Sequence, residues 1–187
     1  PLTMADLDAD FVGFNLHKWI GAPVGVGGMY IRESKLSAID RSHGDEGSLD
    51  SIDSRLHTGT SNFAAILTVS DALDFQATIG VPNKAARLRY LRDRWVSKAR
   101  SIKGVQILTP DDAHLVGAIT GFRLNGKTDR VGNQAITKAL LDEFGIFTFY
   151  RTGLAKGDCV RVTPALYNSV ADADKLVMAL EKIAART

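Results

Sequence analysis

The decisive stretch of the sequence is Phe14-Asn15-Leu16-His17-Lys18-Trp19-Ile20-Gly21-Ala22-Pro23, in which a lysine ends an apolar segment and a glycine-containing turn follows. A lysine amine can form a Schiff base with an aldehyde cofactor, and burial changes its pKa readily. The aromatic and aliphatic neighbours predict that Lys18 is partly buried, where an unpaired ammonium is costly. Lys18 is therefore a candidate covalent anchor, and a surface lysine after a strand is the alternative.

Strands and helices are predicted to alternate outward from this stretch. Strands are expected over 11–16 and 24–32, on either side of Lys18, and a polar loop over 33–55. A helix is expected to begin near Phe63 and to end at Gly80-Val81-Pro82. The other predicted elements are helices over 83–102, over 131–144 (ended by Gly145) and after Ser169, and strands over 105–108, 118–124, 146–150 and 159–163. The last helix is predicted to begin with a capping box of Ser169 and Asp172 and to bury Ala173, Leu176, Val177, Leu180 and Ile183. This alternation predicts an α/β or α+β fold, with a composition boundary near Pro82 that separates two lobes.

Composition and charge exclude several classes of partner. The 187 residues are 45% hydrophobic and 24% charged, which is ordinary for a globular protein. With 23 basic and 21 acidic residues the net charge is +2, so neither nucleic acid nor an anionic membrane is an expected partner. The basic helix over 83–102 lacks aromatic residues on its polar side, which favours a solvated face. No membrane span, signal peptide or metal-ligand pattern is visible, and the single cysteine predicts a cytoplasmic location.

A candidate anion site precedes the first long helix, at Thr58-Gly59-Thr60-Ser61-Asn62. Hydroxyl groups and free backbone N–H groups at a helix N-terminus favour a phosphate. Ordinary N-capping by Ser61 or Asn62 explains the same residues equally well.

A second candidate is Arg161, which lies in the otherwise apolar strand Cys159-Val160-Arg161-Val162-Thr163. A guanidinium fork in a buried strand suits the α-carboxylate of a substrate, and an internal salt bridge is the alternative. Arg151, in the loop Tyr150-Arg151-Thr152-Gly153, is a further candidate of the same kind. Cys159 is expected to be a small buried residue.

In order and spacing, these motifs resemble the C-terminal half of the class V aminotransferases, which have fold type I and use pyridoxal phosphate (PLP). The resemblance runs through 10–19, Gly59-Thr60 and Arg161-Val162-Thr163-Pro164-Ala165-Leu166-Tyr167-Asn168, and so covers essentially the whole chain. The Leu-His-Lys-Trp form with a following Ala-Pro is most similar to the isopenicillin N epimerase-like branch. The resemblance implies the C-terminal part of the cofactor-binding large domain over 1–82 and a small α+β C-terminal domain over 83–187.

The resemblance also implies a role for each candidate residue. Lys18 is expected to form a Schiff base with PLP and to move the α-proton of an amino-acid substrate. Asn15 and His17 are expected to contact the cofactor phosphate. In a homodimer with shared sites, Gly59 and Thr60 are expected to reach the phosphate of the partner subunit's cofactor. Substrate binding is expected at Arg161, which would hold the carboxylate, and at Arg151.

Two departures from the family pattern qualify these expectations. The aspartate that faces the pyridine nitrogen and the aromatic ring that stacks on the cofactor lie upstream of the residue aligned with Pro1. We therefore expect this chain to be an incomplete part, inactive alone, whose partner is the N-terminal half of the same enzyme. The sulfur-accepting cysteine of the related cysteine desulfurases is expected near Lys156, where this sequence has no cysteine.

The predicted function is accordingly that of a PLP-dependent enzyme that acts on an amino acid through Lys18, as an aminotransferase or an isopenicillin N epimerase-like enzyme. A C–S lyase or cysteine desulfurase-like enzyme is the first alternative. A non-catalytic fragment or binding module is the second.

Overall fold

The computed structural model describes residues 2–56 and 59–186, and the chain divides into two units over 1–81 and 82–187. The first unit contains a two-stranded sheet and the second a four-stranded sheet. Among the described residues no single helix has the length and hydropathy needed to cross a membrane. The helical segments Phe63–Ile79 and Val81–Ala99 reach that length and hydropathy only as a combined, bent pair. The assignment of these units to a large and a small domain stays a prediction.

The first unit is built on a β-hairpin. Its elements are α1 (Met4–Leu7), β1 (Phe11–Asn15), β2 (Gly27–Ile31), a 3-10 helix (Glu33–Ala38), α2 (Asp53–Leu56), α3 (Phe63–Leu67) and α4 (Val69–Ile79). Strands β1 and β2 pair antiparallel, from Phe11 opposite Ile31 to Asn15 opposite Gly27. Both strands predicted around Lys18 are therefore confirmed.

The helix predicted from Phe63 is instead two helices that meet at Thr68. The Thr68 hydroxyl donates to the carbonyl of Ala65 at 2.9 Å, a local bond that competes with the helical pattern. The predicted end of the second helix is confirmed at Gly80, whose φ of +82° favours glycine.

The glycines of β2 make room for the aromatic ring of Phe14. Phe14 lies opposite Gly28, and a Cβ atom at Gly28 would lie 2.7 Å from Cζ of the ring. A Cβ atom at Gly27 would lie 3.2 Å from the Phe14 carbonyl oxygen. The ring covers glycine backbone that has no side chain of its own, so it stabilises the strand pair that leads to Lys18.

The second unit is a four-stranded antiparallel sheet with three helices. Its elements are α5 (Val81–Ala99, which begins at the unit boundary), β3 (Val105–Ile107), β4 (Thr120–Leu124), α6 (Arg130–Phe144), β5 (Phe149–Arg151), β6 (Cys159–Val162) and α7 (Val170–Ala184). The strand order is β3-β4-β6-β5. Gly145 ends α6 with a φ of +63°, and Ser169 and Asp172 form the capping box that begins α7, as predicted.

The core of this unit lies between one face of the sheet and the helices. Trp95 of α5 meets Phe122 of β4 edge to face, with ring centroids 6.2 Å apart. The buried face predicted for α7 is confirmed at Ala173, Leu176, Val177, Leu180 and Ile183. Val160 and Val162 of β6 also belong to this core. Because side chains alternate along a strand, Cys159 and Arg161 of β6 belong to the other face of the sheet.

The basic face of α5 is tied to the rest of the unit by specific contacts. Arg94 donates to both carboxylate oxygens of Asp174, at 2.6 and 3.1 Å, and the Lys98 ammonium lies 2.7 Å from the same carboxylate. Arg92 is buried and its Nε donates to the Thr120 hydroxyl at 3.2 Å. The prediction of a wholly solvated face is therefore wrong at Arg92, because the helix turns that residue towards β4.

We expect Trp95→Ala to lower the free energy of unfolding by about 3–5 kcal/mol, because it leaves a cavity against Phe122. Tyr90→Ala, at a half-exposed position of the same helix, is the matched control and should cost about 1 kcal/mol or less. Urea denaturation of the full-length protein, followed by circular dichroism, measures both. Equal losses in the two variants would contradict the packing described here.

The ion pairs of Asp174 also predict a pH dependence of stability. Hydrogen bonds from Arg94, and then from Lys98, lower the pKa of Asp174 from 3.8 to about 2. A carboxyl whose pKa is lower in the folded state stabilises that state above its unfolded pKa and loses the effect as pH falls towards the folded one. The destabilisation caused by Asp174→Asn should thus be full above about pH 4 and shrink as pH falls towards about 2. A difference in denaturation midpoint that stays constant over this range would refute it.

Candidate functional site

Lys18 lies in the turn that joins β1 to β2. The Leu16 N–H donates to the Val26 carbonyl at 3.2 Å, and the Ala22 N–H donates to the Leu16 carbonyl at 3.1 Å. The side chains of Leu16 and Ala22 are buried, so they anchor the two ends of the turn. Lys18 itself is exposed, and within residues 2–56 and 59–186 its ammonium has no hydrogen-bond or ion-pair partner.

The predicted partial burial of Lys18 is therefore wrong in this structure. The apolar residues around it do not enclose it, because Phe14 and Trp19 are themselves 42% and 37% exposed. An exposed amine without a carboxylate partner is available to react with a carbonyl compound.

Two further polar residues lie in this turn or directly before it. Asn15 is the last residue of β1, opposite Gly27, and is exposed. His17 immediately precedes the lysine and is half-buried. An amide, an imidazole and an ammonium within four residues supply several hydrogen-bond donors, which suits a small anion. The structure thus places Asn15 at the end of β1 and His17 and Lys18 in the turn that follows it.

The candidate phosphate residues Gly59 and Thr60 are exposed and lie just before α3. Gly59 has a φ of +97°, a conformation that favours glycine. Asn62 is the N-cap of α3, since its Oδ1 accepts a hydrogen bond from the Ala65 N–H at 3.2 Å, so the capping alternative is confirmed there. Thr58 lies outside the described residues. An anion-binding role for Gly59 and Thr60 stays a prediction.

The two candidate substrate arginines occupy one face of the second sheet. Arg161 of β6 lies opposite Phe149 of β5, and Arg151 lies opposite Cys159. Directly opposed residues and alternate residues of a strand share a face, so all four lie on the face away from the core. Arg151 was predicted in a loop, but it is the last residue of β5.

Both arginines line an open hollow of about 370 Å³, which we call the arginine hollow. Its remaining lining residues are Leu108, Thr109, Pro110, Gly121, Leu154 and Cys159. In the described part of the chain the Arg161 Nε is buried and has no hydrogen-bond partner. The internal salt bridge that was the alternative for Arg161 is absent among those residues.

The electrostatics of the arginine hollow favour an anion. Burial, and then the positive charge of Arg151, lower the pKa of Arg161 from its usual value. The Arg151 guanidinium lies over the ring of Phe149, with its Cζ 4.9 Å from the ring centroid. A carboxylate or other anion in the hollow would offset both the burial and the repulsion.

Cys159 is the small buried residue that the sequence predicts. It is only 4% exposed, and burial raises the pKa of its thiol. A buried thiol with a raised pKa is a poor nucleophile, so chemistry at the hollow rests on the guanidinium groups.

A family model for the class V aminotransferases matches residues 1–176 of the chain. Isopenicillin N epimerase from Amycolatopsis lactamdurans is 29% identical to it, over 97% of this chain and 49% of that protein. The chain thus spans about half the length of the curated relatives it matches.

Solved structures agree over the same extent. A cysteine desulfurase from Escherichia coli, in its S-sulfonic acid form, has a TM-score of 0.77 and 25% identity, over 95% of this chain and 47% of that one. A mutant of the cystine C–S lyase C-DES, with glycine covalently linked to the PLP cofactor, has a TM-score of 0.74 and 20% identity, over 97% and 48%. The mixed helix and strand fold implied by the resemblance is confirmed. With its family model matched over residues 1–176, the chain belongs to the class V aminotransferase family.

Proposed function

We propose that this chain is the lysine-bearing part of a PLP-dependent enzyme that acts on an amino acid. The observation that carries the proposal is the exposed amine of Lys18, which has no ion-pair partner among the described residues, in the turn that follows Asn15 and contains His17. Family membership and the PLP named for a similar structure support it. The enzyme is proposed to be an aminotransferase or an isopenicillin N epimerase-like enzyme.

The residues of the Lys18 turn fit PLP in their chemistry. A covalent bond to an aldehyde needs an amine that is not committed to an ion pair, and the described residues offer Lys18 none. Asn15 and His17 supply hydrogen-bond donors for the cofactor phosphate. When bound, PLP supplies an electron sink for bond breaking at Cα of an amino acid.

The chain's own side chains would supply proton transfer and orientation. Lys18 Nζ, when neutral, is the proposed base that takes and returns the α-proton of the substrate. Arg161 is proposed to bind the α-carboxylate with its guanidinium fork and so to fix the direction of the Cα–H bond. Gly59 and Thr60 are proposed to contact the phosphate of the partner subunit's cofactor in a homodimer.

The N-terminal half of the same enzyme is the proposed partner of the first unit. A lone two-stranded hairpin is marginally stable in water. Several large apolar side chains of the first unit are exposed, namely those of Phe11, Phe14, Met29, Phe63, Ile66 and Leu67. Such surface favours a protein partner over solvent. A small-molecule substrate and a cytoplasmic location, with neither nucleic acid nor membrane as partner, complete the proposal.

A C–S lyase or cysteine desulfurase-like reaction is the second candidate, because cysteine desulfurases are among the similar structures. The loop after Arg151 has no cysteine, and Cys159 is buried with a raised pKa, so this chain lacks a good sulfur acceptor there. These observations favour transamination or epimerisation over persulfide chemistry. A non-catalytic role remains the outcome if Lys18 carries no cofactor.

We expect Lys18→Ala in the full-length protein to abolish covalent attachment of PLP and to lower turnover by about 10²–10⁴-fold. Borohydride reduction followed by peptide mass spectrometry measures the attachment directly. Lys35→Ala, which removes a lysine that lies 3.8 Å from Asp10 in the same unit, should leave it unchanged. Cofactor still linked in Lys18→Ala would show that another lysine is the anchor.

Arg161→Gln should leave the cofactor attached and lower kcat/KM for amino acids by about ten- to a hundredfold, because a charge-assisted hydrogen bond to the α-carboxylate is lost. Arg161→Lys, which keeps the charge without the fork, should lose less. Steady-state kinetics and the absorbance of the bound cofactor measure the two effects separately. Loss of the cofactor in Arg161→Gln would place that side chain in cofactor binding instead.

A further inference from the structure

Two arginines line the arginine hollow, whereas a single α-carboxylate requires one. From this we infer that Arg151 binds a second anionic group, and that the substrate is an amino acid of the dicarboxylic class. Arg161 would bind the α-carboxylate and Arg151 the carboxylate of the substrate side chain. The inference rests on the function proposed above for Arg161.

The two arginines differ from the other partly or fully buried arginines of the second unit. Arg92 and Arg94 pair with aspartates, and Arg123 donates to the carbonyls of Gly157 and Asp158 at 2.6 and 2.8 Å. By contrast, neither Arg151 nor Arg161 has a carboxylate or carbonyl acceptor within the residues that the structure describes. The fold therefore leaves both groups to be satisfied from outside these residues.

The spacing of the two arginines suits two anionic groups. They lie on a diagonal of the β5–β6 pair, since Arg151 is opposite Cys159 and Arg161 is two residues further along β6. Diagonal neighbours are roughly 7–8 Å apart at Cα. Arg151 is further held over the ring of Phe149, which limits its freedom to swing away. Two carboxylates, one at each arginine, would then be joined by a short chain of methylene groups.

The walls of the hollow suit those methylene groups. Leu108, Pro110 and Leu154 line it together with the two arginines. Apolar side chains next to fixed charges are the usual lining of a small-molecule site. The pocket chemistry therefore matches an aliphatic chain with an anion at each end.

Among the described residues no carboxylate forms an ion pair with Arg151 or Arg161. Cys159 lies opposite Arg151 on the same face, and burial raises the pKa of its thiol, which disfavours a negative charge there. The two positive charges also repel each other, and the positive charge of Arg151 lowers the pKa of Arg161. A dianion relieves this repulsion more fully than a monoanion.

The test is equilibrium binding of two unreactive probes, glutarate and pentanoate, to the full-length cofactor-loaded protein, measured by calorimetry. They have five carbons each and differ by one carboxylate. Glutarate should bind at least about tenfold more tightly than pentanoate, since one charge-assisted hydrogen bond is added. Arg151→Gln should remove this preference and change the affinity for pentanoate by less than about threefold.

Matched variants separate the inference from its alternatives. Arg161→Gln should weaken binding of both probes, and Arg151→Lys should keep part of the preference because it keeps the charge. Arg89→Gln, at an exposed arginine of α5, should change neither affinity. Equal affinity of the wild type for both probes would overturn the inference. So would an equal loss for both probes in Arg151→Gln, which would place Arg151 on the α-carboxylate.

The same experiment distinguishes failure of this inference from failure of the proposed function. In Lys18→Ala the glutarate preference should persist although the cofactor is no longer attached. If the wild type holds no cofactor on Lys18, the proposed function fails, and a glutarate preference that depends on Arg151 still supports the hollow as a dicarboxylate site. If the cofactor is attached and the preference is absent, only the inference about Arg151 fails.

Discussion

The antiparallel register of β6 is the constraint on which the second unit depends. Val160 and Val162 face the core, while Arg161 between them belongs to the opposite face. A shift of one residue would exchange the two faces, place a guanidinium among Trp95 and Phe122, and expose the valines to solvent. The cost of burying an unpaired charge excludes that arrangement. The hydrophobic core therefore sets the position of Arg161, and the pairing of β5 with β6 then sets that of Arg151.

The first unit, by contrast, has almost no hydrophobic core of its own. Only Leu16, Ala22 and Ala65 are buried apolar residues among those described in it, and many larger side chains are exposed. The Lys18 turn is held mainly by backbone hydrogen bonds and by the cover that Phe14 gives to Gly28. The hairpin thus fixes the local geometry of the Lys18 turn. The few buried side chains of this unit do not enclose the lysine. This contrast explains why the amine is reachable here although its neighbours in sequence are apolar.

The sequence predicted best those features that local chemistry decides. The capping box and the apolar face of α7 both depend on spacings within one helix, and both are confirmed. The break at Thr68, the burial of Arg92 and the place of Arg151 in a strand were missed, because each depends on contacts that sequence spacing does not specify. For the site, residue types and family resemblance selected Lys18 and Arg161 singly. Arg151 lies near Arg161 because of the register between β5 and β6. No single sequence motif encodes that register.

The single buried thiol of Cys159 offers a way to measure local opening of the second sheet. It is the only thiol of the 187 residues, it is nearly inaccessible, and it lies two residues before Arg161 on the same strand. Because so little of it is exposed, a thiol reagent should react with it faster when the residues around it move apart, so its rate of modification reports local opening of this part of the sheet. The native thiol can therefore serve as a probe of local opening near the strand that carries Arg161. No cysteine has to be introduced for this measurement.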